Sequence, residues 1–158
     1  MLPPRHAPLG YVCPFCLLVA GVEDGRVLSR QADVVFRDDL TTAFVSSHQY
    51  PNNPGHVLVT PNAHFESLYE LPDELGAAVH VTSRKVALAI KAAYGCDGVS
   101  TRQHNEPAGH QDVWHYHLHV FPRYAGDGLY GATSSLKIPD ERAAYAARLR
   151  AAWPKETL

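Results

Sequence analysis

Apolar and polar positions along this 158-residue chain follow two different periods, and the change from one to the other separates predicted strands from predicted helices. From Pro72 to Tyr94 the spacing is helical: Leu75, Ala78, Val79, Thr82, Val86, Ala89, Ile90 and Ala93 fall on one stripe. Asp73 and Glu74 open that segment and Gly95 stands just past its end, as the helix dipole and a left-handed stop favour. Pro139 to Ala152 repeats the signature with alanines, Tyr145, Leu149 and Trp153, and Pro14 to Val19 predicts a short helical turn. Period-2 runs predict strands at Arg26 to Ser29, Asp33 to Arg37, Thr41 to Ser46, His56 to Thr60, Val99 to His104 and Val113 to Phe121. Turn residues predict connections at Gly21 to Gly25, Asp38-Asp39, Gln49 to Gly55, Asn105 to His110 and Gly126 to Gly128. Strands adjacent in sequence favour a mainly antiparallel sheet of about five strands with the helices packed to one side, an α+β fold. We expect one domain over residues 1–158: an extended or flexible lead-in at 1–12, a core from about 13 to 124, and a C-terminal extension at 125–158 with the second helix.

The sharpest alternation is His115-Tyr116-His117-Leu118-His119-Val120-Phe121, ended by Pro122. In an extended segment His115, His117 and His119 share one face and Tyr116, Leu118 and Val120 the other. Successive imidazoles then stand about 6.6 Å apart, near enough to surround one phosphoryl group or one metal ion. A helix would fan them by roughly 200° per step and form no common site. Two chemistries fit: an imidazole that attacks phosphorus and carries a nucleotidyl group, or histidines that hold Zn²⁺.

Composition narrows the partners. The formal net charge is −2, with no basic footprint for duplex nucleic acid, whereas a small phosphorylated ligand needs only local donors. No run approaches a membrane span and the N-terminus lacks a secretory apolar core, so a cytoplasmic location is expected. Ten histidines are the compositional oddity. Cys13-Pro14-Phe15-Cys16 reads as a zinc half-site or a redox pair, and Cys96 as a small buried residue.

The three-histidine run, approached through Gln111-Asp112-Val113-Trp114, resembles the signature of the histidine-triad (HIT) family of nucleotide hydrolases and transferases, and the likeness spans about Cys13 to Tyr124. The resemblance implies that His117 is the nucleophile and that His119 stabilises phosphate oxygens or handles the leaving-group proton. His119 stands where the uridylyl-transferring branch commonly has Gln, which favours a hydrolase. Asn105 and Gln111 fall where the family contacts phosphate, although loop capping explains both as well. Phe44 matches the residue that packs the base, and Ser46 takes the place of an Asp that binds the ribose hydroxyls. His56 matches a histidine at the start of the strand beside the triad. Asp112 stands where Ser is common and His110 where glycine is expected. A carboxylate cannot donate to phosphate unless protonated.

The likeness extends to a zinc-carrying bacterial subset, in which the Cys-x-x-Cys pair joins a histidine after the central strand and the first triad histidine. The implied structural Zn²⁺ site is Cys13, Cys16, His64 and His115, with no organic cofactor, and the implied assembly is a homodimer. The expected activity is hydrolysis that releases a nucleoside monophosphate from an amine or phosphate leaving group through a nucleotidyl-His117 intermediate. Two alternatives remain open: a catalytic zinc hydrolase with His115, His117 and His119 as ligands, and a nucleotide-binding or sensor module without turnover.

Overall fold

The computed structural model describes Met1 and residues 3–155; Leu2 of the predicted lead-in and residues 156–158 of the predicted C-terminal extension lie outside the described residues. Five strands form one antiparallel sheet: β1 (Val34–Arg37), β2 (Thr41–Val45), β4 (Val57–Pro61), β6 (Leu118–Arg123) and β5 (Gly98–Gln103), in the order β1-β2-β4-β6-β5. Two further two-residue strands, β3 (His48–Gln49) and β7 (Ser135–Leu136), pair with each other. The helices are α1 (Pro14–Val19), α2 (Asp73–Tyr94) and α3 (Pro139–Ala151). This is the α+β arrangement read from the pattern.

The sheet has two unlike faces because β2, β4 and β6 are in strict register. Ala43, Val45, Val57, Val59 and Val120 face α2, meeting Val79, Val86, Ala89 and Ile90, and Ala146 and Leu149 of α3 complete this core. The predicted C-terminal extension therefore contributes buried side chains to the main core. Phe36 stacks on Trp153 at 4.7 Å between ring centroids. The opposite face carries the cross-strand row Phe44, Leu58, His119 and Arg102, under a smaller cluster of Cys13, Phe15, Leu18 and Val27.

Three local readings are corrected. Arg26 to Ser29 forms no strand: Arg26 is drawn back onto Asp24 by a 2.6 Å ion pair, and the Leu28 carbonyl accepts from the buried Arg142 guanidinium instead of a neighbouring strand. The regular alternation expected around Val34 and Phe36 is broken by a bulge, which sends Val34 to the small cluster and Phe36 to the main core. The triad ladder begins at Leu118, not Val113. Before it, the chain has passed the end of β4, and its backbone is held by Phe65 O, which accepts from Tyr116 N at 2.6 Å, and by Thr60 Oγ1, which donates to Tyr116 O at 2.8 Å.

The predicted lead-in is docked. Glu66 accepts from the backbone N–H groups of His6 and Ala7 at 2.5 and 3.3 Å, and Arg5 pairs with Glu70 at 2.7 Å. At the other end of the sheet Gly55 has φ +85°, and a Cβ there would stand 2.2 Å from the Tyr94 hydroxyl. Only glycine gives both the left-handed turn and the close approach that lead the chain through His56 into β4 at Val57.

Candidate active site and metal site

The open face of the sheet carries a groove of about 410 Å³, lined by Phe44, Leu58, His117 and His119 on the sheet, Phe15 and Pro14 on α1, and Asp112 and Val113 on the approach to the triad. Arg26 to Ser29, Ser46, Ser47, His48, Tyr50, His56 and Ser134 close its other side.

His117 is 2% exposed. Its Nδ1 lies 2.7 Å from the His115 carbonyl oxygen, which can only accept, so the proton sits on Nδ1 and the Nε2 lone pair is bare. Burial holds the imidazole below its ordinary range, against the opposing pull of the His115 carbonyl and of Asp112. The ring is therefore neutral at pH 7, with Nε2 uncommitted to any protein donor and 3.9 Å from Asp112 Oδ1. Phe15 meets it edge-on at 5.2 Å between centroids and fixes its plane.

His119 follows on the same face, 5.0 Å from His117 between centroids. Its Nδ1 is 3.0 Å from His56 Nε2. His56 Nδ1 makes no hydrogen bond of good geometry, but the His48 backbone lies close enough to favour a proton there, so either ring can donate across the 3.0 Å contact. Burial, with Arg102 next, pushes His56 down to about 3. Burial, then His117 and His56, hold His119 well below its usual value. Both rings are neutral. The His56 ring is in turn stacked on Phe121 at 4.3 Å.

His115 faces a different environment. Its Nδ1 lies 3.3 Å from Cys13 Sγ and 3.5 Å from Cys16 Sγ, and its Nε2–H donates to Pro61 O at 2.9 Å. That carbonyl leaves the Nδ1 lone pair directed at the sulfurs, the tautomer a metal ligand needs. His64 Nδ1 is 3.3 Å from Cys16 Sγ, and the donor atoms of Cys13, Cys16, His64 and His115 all lie within 4.8 Å of one another. Zn–S bonds of about 2.3 Å and Zn–N bonds of about 2.0 Å place tetrahedral ligand atoms roughly 3.3 to 3.8 Å apart, so this Cys₂His₂ set fits zinc. Burial and the neighbouring Cys13 push the Cys16 thiol up to about 12, a cost that a bound cation removes. Three histidines expected on one face thus serve two places: His115 joins the cysteines, and His117 and His119 line the groove.

The remaining predicted residues divide. Phe44, Ser46, His56 and Asp112 line the groove. Asn105 and Gln111 do not. Asn105 Oδ1 accepts from Leu68 N at 2.7 Å and its amide donates to Gln103 Oε1 at 2.7 Å. Gln111 donates to Glu66 O at 2.6 Å and accepts from Glu106 N at 2.9 Å. Both brace the loop before the triad, in which Glu106 and His110 hold positive φ of 63° and 66°. Sequence reasoning missed Phe15 and Tyr50 as groove walls. The usable signal for Phe15 was its position between the two cysteines, which fastens it beside whatever they bind.

A family model described as HIT domain matches residues 28–126. A relative from Bacillus subtilis, "Protein hit", is 36% identical over 118 residues, covering 74% of this chain and 75% of its own length. A zinc-bound histidine triad family protein from Mycobacterium smegmatis superimposes with a TM-score of 0.72 at 30% identity, covering 89% of this chain and 91% of that one. A Hit-like protein from Bartonella henselae gives 0.69 at 32% identity, over 76% of this chain and 85% of its own.

Proposed function

The chain belongs to the HIT-domain family, and on that premise we propose that its groove binds and processes a nucleotide, with His117 as the group that takes the nucleotidyl moiety from phosphorus. The observation that carries this reading is the 2.7 Å bond from His117 Nδ1 to the His115 carbonyl, which leaves a neutral Nε2 lone pair on the groove. As the Nε2–P bond forms, the bond from phosphorus to the leaving oxygen or nitrogen breaks. The departing group takes its proton from solvent, and the neutral His119 ring is placed to hydrogen-bond it. Water then attacks phosphorus and gives its proton to solvent as the N–P bond breaks, so His117 returns to its neutral form and a nucleoside monophosphate is released. Phe44 packs the base, Ser46 meets the sugar, and Asn105 and Gln111 act by holding the loop that carries Asp112. The leaving group is an amine or a phosphate.

Zinc belongs, in this proposal, to the Cys13, Cys16, His64 and His115 cluster, as in the zinc-carrying subset. Bound there it supplies rigidity, fastening α1 and Phe15 beside the triad. A metal-centred reaction with all three triad histidines as ligands is less favoured, because His115 aims Nδ1 at Cys13 and Cys16 and gives its Nε2–H to Pro61 O, so neither of its nitrogens is left for an ion shared with His117 and His119. Nucleotide binding without turnover has one observation in its favour, the Asp112 carboxylate 3.9 Å from His117 Nε2, where an incoming phosphoryl group meets like charge.

The proposal includes a homodimer, a cytoplasmic location in keeping with the free thiols of Cys13, Cys16 and Cys96, and a single folded unit over residues 1–158. Turnover of an adenosine phosphoramidate and of a dinucleoside polyphosphate by purified protein tests the activity. His117→Ala is expected to slow it by several powers of ten while the protein still binds AMP. Binding of AMP with no turnover of either substrate would establish the binding-module reading instead.

A further inference from the structure

Resting on the reading that a nucleotide's 5′-phosphoryl group sits at His117, we infer that the other end of the groove receives a ribose carrying a phosphate ester on its 2′ or 3′ oxygen. The two ends differ in chemistry. Among the described residues, the carboxylate lining the groove is Asp112, beside His117. The far end is walled by Ser29, Ser46, Ser47, His48, Ser134 and Arg26.

Ser46 stands two positions after Phe44, just past the end of β2, and is joined to the triad side, since its backbone N–H donates to His56 O at 3.0 Å. Its Oγ accepts from His48 N at 3.4 Å, and Ser47 Oγ meets His48 Nδ1 at 3.1 Å. Among the described residues no acceptor takes the hydroxyl hydrogens of Ser29, Ser46 or Ser134, although Ser29 and Ser46 are each only 6% exposed. Hydroxyls that open on the groove from Ser29, Ser46 and Ser134 with unspent hydrogens favour a ligand made of acceptors. A free ribose diol brings two donors of its own and is best held by a carboxylate, and the one beside this end, Asp24, is engaged by Arg26. A phosphate ester brings oxygens that only accept, and positive charge is at hand. Arg26 lines the rim, held by an exposed pair with Asp24 at 2.6 Å. Such a pair contributes little, so the guanidinium is free to turn onto a phosphate in forked geometry.

Calorimetric titration of the full-length protein with AMP, adenosine 3′,5′-bisphosphate and the 5′-phosphorylated dinucleotide pApA tests this. The bisphosphate is expected to bind at least about tenfold more tightly than AMP at low salt, with the gap closing as salt rises. Arg26→Gln, at an exposed position, is expected to reduce that gap, and Ser46→Asp to reverse it. Tighter binding of pApA than of the bisphosphate assigns the ester to a strand end, and the opposite order to a free nucleotide. AMP binding as tightly as both esters, or a gap unmoved by Arg26→Gln and Ser46→Asp, overturns the inference and leaves the nucleotide site standing. Failure of all three ligands to bind overturns the nucleotide site and this inference together.

Discussion

Replacing Asp112 by Asn separates an electrostatic obstacle from a catalytic acid. The carboxylate lies 3.9 Å from the nitrogen proposed to attack phosphorus, and its side chain is 84% exposed. Two unit charges about 4 Å apart in water repel by about 1 kcal/mol, which is a factor of about five in rate, and the low-dielectric floor of the groove moves the figure upward. Because Asp112 is so exposed, salt lowers it again. Asp112→Asn keeps the shape and removes the charge. The expected result is kcat/KM raised by roughly five- to tenfold for an anionic phosphoryl substrate in dilute buffer, with the gain mostly gone near 0.5 M salt. The same change removes a group that holds the His117 imidazole up, so the acid limb of the rate profile moves to lower pH. Steady-state kinetics at two salt concentrations reads both effects. A tenfold or greater loss of rate in Asp112→Asn, independent of salt, would refute this reasoning and make Asp112 a proton donor.

Other expected outcomes are more local. Chelation, or His64→Ala, lowers the melting temperature by several degrees while protein that stays folded keeps turning over; loss of turnover with no change in melting would place the metal in the chemistry. Asp33→Ala leaves the buried Arg142 guanidinium, 3.1 Å away and 2% exposed, without its counter-charge, at a cost of about 3–5 kcal/mol. That corresponds to a melting temperature lower by roughly 10 °C for a chain of this size. Gly55→Ala, which forces a Cβ into Tyr94 at φ +85°, is expected to cost more than about 2 kcal/mol in urea unfolding. His56 is held down to about 3 in the folded protein against an ordinary 6.5. Between those values the unfolded chain binds the extra proton, so stability is full above pH 6.5 and falls as pH drops, by about 1.4 kcal/mol per unit at most. His56→Asn should flatten that slope in denaturant titrations at pH 7, 6 and 5.

The main helix was legible because its apolar stripe and its Asp73, Glu74 and Gly95 termini agree, and the strands because each short run alternates. The histidine run was legible as chemistry but not as geometry. Alternation alone placed His115 with its neighbours, whereas the chain runs past the end of β4 there and turns that ring towards Cys13 and Cys16. The departure depends on Phe65 O and Thr60 Oγ1, contacts more than 50 positions away in the chain. Arg26 to Ser29 misled for a related reason. Its pattern suits a strand, yet a strand needs a partner edge, and here the Arg142 guanidinium takes the Leu28 carbonyl instead. Docking of the lead-in was invisible because it relies on Glu66 and Glu70, which read as ordinary surface acids. The Asn105 and Gln111 amides are spent on their own loop and on Leu68 N and Glu66 O, the capping role that the sequence left open beside phosphate contact.

The most direct test is to quench the reaction with a nucleoside phosphoramidate within one turnover and map the adduct by mass spectrometry under alkaline conditions. The account predicts a nucleotidyl group on His117, lost in mild acid and absent from His117→Ala. Turnover that proceeds with no adduct on any histidine, or at an undiminished rate in His117→Ala, would contradict it.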